Sequence, residues 1–433
     1  MSSYFIESFK IDKLWGYRDI DLTFNNDVNI LIGPNGSGKT TILNLLHAIL
    51  SGDLRSVLNF NFQHAKIRLK SFKDNSVCTI KVDIGDELLK LKVGHKEHST
   101  PIDIFSDRSP IRPSLRYFHE RDNVIRNMLS EEIDGESTPL VPLIWLPVSR
   151  RLPATEDEEE RYTRKKPLES VDLRLEDLLD GLSRYHSILN AQLSERYREF
   201  EHQVLSVILY SKEHDQLKSI RTSVFHSPPT EAEKDQLLNA FEAAGFLDES
   251  MQSRIDDHFA AFDAAKKVFP LIYAGKDIPL EFEDTFVIPL IGRTKAMVKY
   301  AGELEEDKER IFASLQLYEE TVNSFLNDKS IKVDENGLLK IKSLSPSKLN
   351  WHFLSSGEKQ ILILLTQALL KFDKPVVYIA DEPELSLHVT WQEKLLKSLV
   401  TLGGQMQVIV ATHSPDIVGN FQDRVIDLVV CHI

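Results

Sequence analysis

The sequence predicts an α/β fold in which one domain is split by a mainly α-helical insertion. A short apolar run, Val28–Ile32, passes through a glycine-rich turn into the helical apolar pattern of Thr41–Leu46. That strand–turn–helix order is the context of a phosphate-binding loop. Short apolar runs alternate with helices again from 354 to 430, as an α/β domain requires. Between them, from 172 to about 328, apolar residues recur every three or four positions, the period of a helical face. The expected parts are 1–150 and 331–433, which form one α/β domain, and 151–330, the insertion, a place for oligomerisation or partner docking.

The 433 residues suit two or three domains by size, and 42% hydrophobic with 27% charged residues describes an ordinary globular chain. A net charge of −14 argues against a general nucleic-acid binder, while a local basic groove and direct nucleic-acid contact stay open. Cys78 and Cys431 lie far apart, so neither a disulfide framework nor a cysteine zinc site is expected. No run approaches the roughly 20 apolar residues of a membrane span, and the N-terminus lacks a signal-peptide pattern. A cytoplasmic protein with no membrane partner is the expectation.

In chain order, Phe5–Ile11 and Ile20–Phe24 alternate as strands and end at the turn Asn25-Asn26-Asp27. Between them, Trp15-Gly16-Tyr17-Arg18 either contacts a base or ribose or is a surface turn with core aromatics. Strands are expected at Ala65–Ser71, Val77–Ile84 and Leu88–Val93, with a hairpin turn at Gly85-Asp86. Residues 95–140 show little pattern. Leu140–Val148 reads as a buried strand that ends in Ser149-Arg150-Arg151, facing phosphate or starting a solvated loop. The acidic run Glu156–Glu160 and the basic Arg161, Arg164, Lys165 and Lys166 are a solvated loop or a docking segment. In the insertion, the stripe Leu175, Leu178, Leu182, Tyr185, Leu189, Leu193, Tyr197, Phe200, Val204 and Val207 fits internal packing or subunit contact, and Thr230–Glu233 is a capping box whose helix can stop at Gly245. The second stripe is Ile311, Leu315, Tyr318, Val322 and Phe325. A hairpin at Ile331–Ile341 turns at Asp334–Gly337. A helix from Gly357 to about Lys371, a strand Val376–Ala380, a helix Trp391–Leu402, and strands Gln407–Ala411 and Val425–Val430 complete the domain.

Four motifs carry chemistry. Gly33-Pro34-Asn35-Gly36-Ser37-Gly38-Lys39-Thr40-Thr41 fits the phosphate loop. Its glycines let successive N–H groups converge on one anion, the helix start adds positive dipole, Lys39 reaches the β- and γ-phosphates, and Thr40 holds Mg²⁺. Asp381 and Glu382 end an apolar strand. Asp381 can hold the Mg²⁺ through water, and Glu382 can act as general base toward the attacking water. Ser355-Ser356-Gly357-Glu358 opens a helix, as an anion site or a plain cap. His413, just after a strand, is structural or reaches the γ-phosphate.

In this order the motifs resemble those of the ABC-type ATPases: Gly33–Thr40 as Walker A, Leu354–Gln360 as signature, Asp381-Glu382 as Walker B and His413 as switch histidine. The signature reads LSSGE, and with DEPELSLH at 381–388 and ATHSP at 411–415 it looks like the SMC and OLD group. The resemblance implies ATP and Mg²⁺ sandwiched between two copies of the chain, Lys39 and Thr40 from one and Ser355 and Gly357 from the other. It leaves the glutamine that normally senses the γ-phosphate unplaced. A transporter subunit does not fit the helical insert; an SMC- or RecF-like repair ATPase stays an alternative, although the insert is too short and broken for the long coiled-coil arm of the SMC type. The chain stops at Ile433 with no room for the Toprim nuclease of the OLD enzymes. Within the group it is most similar to the AriA-type sensor ATPases of PARIS antiphage defence, with the Septu-type defence ATPases as the near alternative. That resemblance implies a homo-oligomer, with a hexamer as one size. It also implies a separate AriB-like Toprim nuclease partner, released when a phage protein, such as an acidic DNA mimic, is sensed.

Overall fold

The computed structural model describes residues 4–102, 123–133, 136–147, 170–209, 230–273, 282–343, 350–371 and 375–429. The chain forms two compact units, one of Met1–Ser183 with Leu317–Ile433 and one of Arg184–Gln316.

The first unit holds two sheets. The antiparallel one has strands β1 (Tyr4–Leu14), β2 (Arg18–Thr23), β4 (His64–Ser71), β5 (Val77–Ile84), β6 (Leu88–Val93) and β7 (Lys96–Pro101) in the order β2-β1-β4-β5-β6-β7. Its strands alternate buried and exposed, as in His64–Ser71 where Ala65, Ile67 and Leu69 point inward, the pattern of a sheet with one solvated face. The other sheet contains β3 (Val28–Ile32), β10 (Leu143–Leu146), β13 (Val376–Asp381), β14 (Met406–Ala411) and β15 (Val425–Asp427), ordered β10-β13-β14-β3-β15. Every pairing in it is parallel. β13 and β14 are buried at every position, which is why they read as unbroken apolar runs. Helix α1 (Lys39–Ser51) packs into the same core through Ile42, Leu43, Leu45, Leu46 and Ile49.

The phosphate loop thus sits where expected, between β3 and α1. The expected strand Leu140–Val148 is shorter, because Pro142 and Pro147 bracket it and proline cannot donate to a ladder. β7 and the small hairpin of β8 (Ser130–Ile133) and β9 (Glu136–Pro139) lie in the weakly patterned stretch. The final strand ends at Asp427 rather than Val430, since Val429 N–H turns back to the Asp427 carboxylate (2.9 Å). Ser149–Arg151 and the charged run 156–166 lie outside the described residues.

The insertion is helical: α2 (Ser170–Ile208), α3 (Glu231–Ala243), α4 (Glu249–Tyr273) and α5 (Phe282–Asn323). The Thr230–Glu233 capping box is present, with Gly245 at φ +77° just past α3. In the second unit, Phe200, Leu237, Ile255, Phe259, Val298 and Leu304 share one core, so the inward stripe is used for internal packing. The division between units falls inside α2 and α5, not at 151 and 330. The starts and ends of those helices stay with the α/β unit through Asp172–Lys359 (2.7 Å) and Tyr318–Thr366 (2.7 Å). The hairpin of β11 (Lys329–Val333) and β12 (Leu339–Ser343) turns at Asp334, whose carboxylate accepts Asn336 and Leu338 N–H. Helices α6 (Ser356–Leu369) and α7 (Val389–Gly403) flank β13 in sequence.

Candidate functional site

In the parallel sheet Asp381 is opposite Ala411, and Ala411 is opposite Leu31. Three strand ends therefore stop in one row, and the segments leaving them, Gly33–Gly38, Glu382–Glu384 and Thr412–Ser414, meet beyond the carboxyl edge, where open α/β sheets bind ligands. The strand bearing His413 lies between the strands of the phosphate loop and the acidic pair.

The phosphate loop is bent as its glycines demand. Gly38 has φ +96°, and a Cβ there would stand 2.6 Å from the Trp15 ring. No side chain caps the first turn of α1, so its leading N–H groups are left for an anion. Trp15 and Arg18 support the loop from beneath. Arg18, 7% exposed, donates to the carbonyls of Ser37 (2.5 Å) and Leu428 (2.7 Å) and lies 6.0 Å from the Trp15 ring. Tyr17, by contrast, is 78% exposed. Of the two readings of this turn, the packing favours aromatic support for Trp15, while Tyr17 faces solvent.

Lys39 Nζ donates to Gly33 O (2.9 Å) and to His413 Nε2 (2.7 Å). Burial lowers its pKa, opposed by the charges of Glu382, Asp381 and Glu384. His413 Nε2 is also 3.5 Å from Glu382 Oε1. Lys39, Glu382 and His413, widely separated in sequence, thus form one cluster.

Asp381 is 2% exposed and neither carboxylate oxygen has a hydrogen-bond partner. Burial raises its pKa, against the pull of the nearby Thr40 hydroxyl and Lys39 ammonium. Two buried, unsatisfied oxygens beside a hydroxyl and at a phosphate loop fit a hard divalent cation with oxygen ligands. Thr40 and Asp381 are the residues that would hold Mg²⁺. Glu382 sits at φ +50°, a strained conformation of the type found at functional sites, and its N–H donates to Ala411 O (2.8 Å). Burial first, then Glu384 and Asp381, push its carboxyl up to about 7, the range suited to a base at neutral pH.

The signature segment is elsewhere. Ser355 caps α6 in a capping box: its Oγ accepts Glu358 N–H (3.3 Å), and Glu358 accepts Ser355 N–H (2.7 Å). Lys329 pairs with Glu358 (2.8 Å). Gly357 has no room for a side chain, as a Cβ would lie 2.7 Å from Ser386 O. Ser355 and Ser356 are exposed beside Phe353, itself 73% exposed. Among the described residues no hydrogen bond joins Ser355–Glu358 to the phosphate loop.

Glu384 is a site residue that sequence reasoning left out. It is 7% exposed, and its Oε1 accepts Thr412 Oγ1–H, His413 N–H (3.2 Å) and Ser414 N–H (3.3 Å). The only signal was a second acid two positions beyond Glu382. No described helix is long and apolar enough to cross a membrane.

The chain is 20% identical over 411 residues to the Retron Vc95 probable ATPase of Vibrio cholerae, covering 90% of this chain and 66% of that protein. It is 22% identical over 415 residues to the Septu protein PtuA of Bacillus thuringiensis, covering 95% and 72%. The chain thus spans about two-thirds of the length of these relatives. A solved Smc head domain bound to the C-terminal domain of ScpA, from Pyrococcus furiosus, aligns over 98% of this chain and 93% of its own, at 14% identity and a TM-score of 0.39. The AAA ATPase domain family, AAA_15, matches residues 5–418. With the phosphate loop and the acidic pair Asp381-Glu382 on one edge of an α/β P-loop sheet, the chain belongs to the AAA ATPase domain family and hydrolyses ATP.

Proposed function

We propose that the chain is the ATP-driven sensor and scaffold of a bacterial antiphage defence system, acting as a homo-oligomer with a separate effector. One observation carries the oligomer. Lys39, Asp381, Glu382 and His413 gather at one edge, whereas Ser355 and Ser356 lie exposed at the start of a buried helix, and among the described residues no hydrogen bond joins Ser355–Glu358 to that cluster. A second copy that brought its Ser355 and Gly357 to the γ-phosphate would complete the site, and an isologous pairing completes two. The kinship with a retron ATPase and a Septu protein supports the defence setting. The AriA-like reading adds a Toprim-type nuclease effector and a phage trigger protein.

In that site Lys39 and the loop N–H groups grip the phosphates. Thr40 and Asp381 would hold Mg²⁺, which when bound would supply neutralisation of the developing charge. Glu382 takes the proton of the attacking water, and His413 stands between Glu382 and Lys39, where the terminal phosphate is expected. The output is an assembly state, engaged with ATP and separated after hydrolysis.

Light scattering of Glu382→Gln with ATP tests the assembly: a stable higher-mass species is expected, and unchanged mass with bound ATP removes the composite site. Purification of the native operon tests the setting. A co-purifying nuclease supports defence. Duplex DNA that raises the ATPase rate without any partner supports the repair reading instead, which the short match to RecF of Bacillus cytotoxicus favours, 24% over 99 residues.

A further inference from the structure

We propose that Glu384 is a positioning residue for hydrolysis, holding the loop that carries His413 in register with the acidic end of β13. It makes no bond to the phosphate loop, and although it lies beside Glu382 and helps push that carboxyl up, the bonds that hold it run elsewhere. What it does touch is three consecutive residues of the opposite loop. One oxygen receives the Thr412 hydroxyl and the N–H groups of His413 and Ser414. Three donors converging on one buried carboxylate make charge-assisted bonds, stronger than those to a neutral acceptor.

Both ends of the link are stiff. On the Glu384 side, Pro383 fixes its own φ, Leu385 N–H closes on Glu382 O (3.2 Å) and Leu387 N–H on Glu384 O (2.8 Å). On the loop side, Thr412 N–H is bound to Leu31 O (3.1 Å), Thr412 Oγ1 accepts Ser414 N–H (2.9 Å), and the Ser414 hydroxyl donates to Gln392 (2.6 Å). Thr412 is 1% exposed. The His413 ring, in contrast, reaches outward to Lys39 and Glu382. Its backbone is held and its ring is presented, and Glu384 is the group that ties that backbone to the turn bearing the base. The His413 N–H also faces the Glu382 carboxyl, whose pKa it lowers, so Glu384 carries the larger part of the tie, and the whole of it at Ser414 N–H among the described residues.

The inference rests on His413 serving hydrolysis, so a double-mutant cycle separates the two ideas. ATP turnover and binding of a fluorescent ATP analogue are measured for Glu384→Ala, His413→Ala and the pair. A displacement of about 1 Å can cost about 100-fold in rate. Glu384→Ala is therefore expected to lower kcat by about that factor while nucleotide affinity stays within about twofold. The pair should be no slower than His413→Ala alone. Glu384→Gln, which keeps an acceptor oxygen, should recover part of the loss. Thr412→Val removes one donor and spares the carboxylate, and it covers the case in which Glu384→Ala fails to fold. It should lose less and be equally non-additive. Additive losses, or a fall in affinity with kcat intact, would overturn the assignment. His413→Ala with parental turnover removes His413 from the reaction and the role of Glu384 with it.

Discussion

Between pH 6 and pH 8 kcat/KM for ATP should rise about tenfold. Glu382 is pushed from 4.5 up to about 7 by burial, by its neighbour Glu384 and by the charge of Asp381. A general base works only when ionised. With a pKa near 7, about a tenth of the molecules carry the ionised base at pH 6 and about nine-tenths at pH 8. A glutamate at its ordinary value would be ionised across the whole window and give a flat profile. The assay is phosphate release at ATP concentrations well below KM, which reports the base of the free enzyme, over pH 5.5–8.5 at constant ionic strength. A profile flat from pH 6 to 8, or one with its midpoint near 4.5, refutes the assignment of base and environment together. The same shift has a signature in stability. Folding raises this acid's pKa, so the stability of its protonated form is full below 4.5 and is lost as pH rises to about 7. Glu382→Gln, neutral throughout, should melt above the parent at pH 8, and the gap should shrink below pH 7 and close only below the ordinary value of 4.5.

Lys39→Ala should abolish nucleotide binding, read by fluorescence of a labelled ATP, because the ammonium is the only side-chain cation bonded into the loop's Gly33 carbonyl among the described residues. Gly38→Ala should weaken binding by forcing a methyl group into the Trp15 ring, 2.6 Å away. A second change, Trp15→Ala, should restore only part of the affinity, since φ +96° remains unfavourable for alanine. Tyr318→Phe removes the bond to the fully buried Thr366 hydroxyl and should cost about 1–3 kcal/mol in denaturant unfolding, with the ATPase rate at 25 °C unchanged.

The site was legible where its chemistry is local. Gly33–Thr41 and Asp381-Glu382 each sit on a strand end with the right neighbours in sequence, so residue type and context suffice. His413 was ambiguous as a lone histidine and gained meaning only from its strand, which the sheet order places between the other two. Glu384 escaped because its partners, Thr412 to Ser414, are distant in sequence and two of its three bonds are to backbone, which no side-chain pattern reports. The fold was read well for β4, β5 and β6, whose alternation is regular. β7 was not, since Lys96-Glu97-His98-Ser99 offers no apolar alternation and the strand is held by its pairing with β6. The division between the two units was invisible for a related reason. α2 runs unbroken through Ser183 and Arg184, and an amphipathic period does not change when a helix passes from one core to another.

The order of strands also sets a timetable for synthesis. Among the described residues β3 pairs only with β14 and β15, and β10 only with β13. About 370 residues separate the end of β3 from the start of β14, so at 5–20 residues per second the ribosome needs roughly 20 to 75 seconds to supply the neighbour. During that interval Val28–Ile32 is an apolar strand with two bare edges, an invitation to mispairing. The long helical insertion is made in that same interval, and its helices, built from local contacts, can form while the sheet waits. A chain cut short anywhere between Thr41 and Met406 would carry an intact phosphate-loop sequence on a strand that lacks both of its partners, β14 and β15.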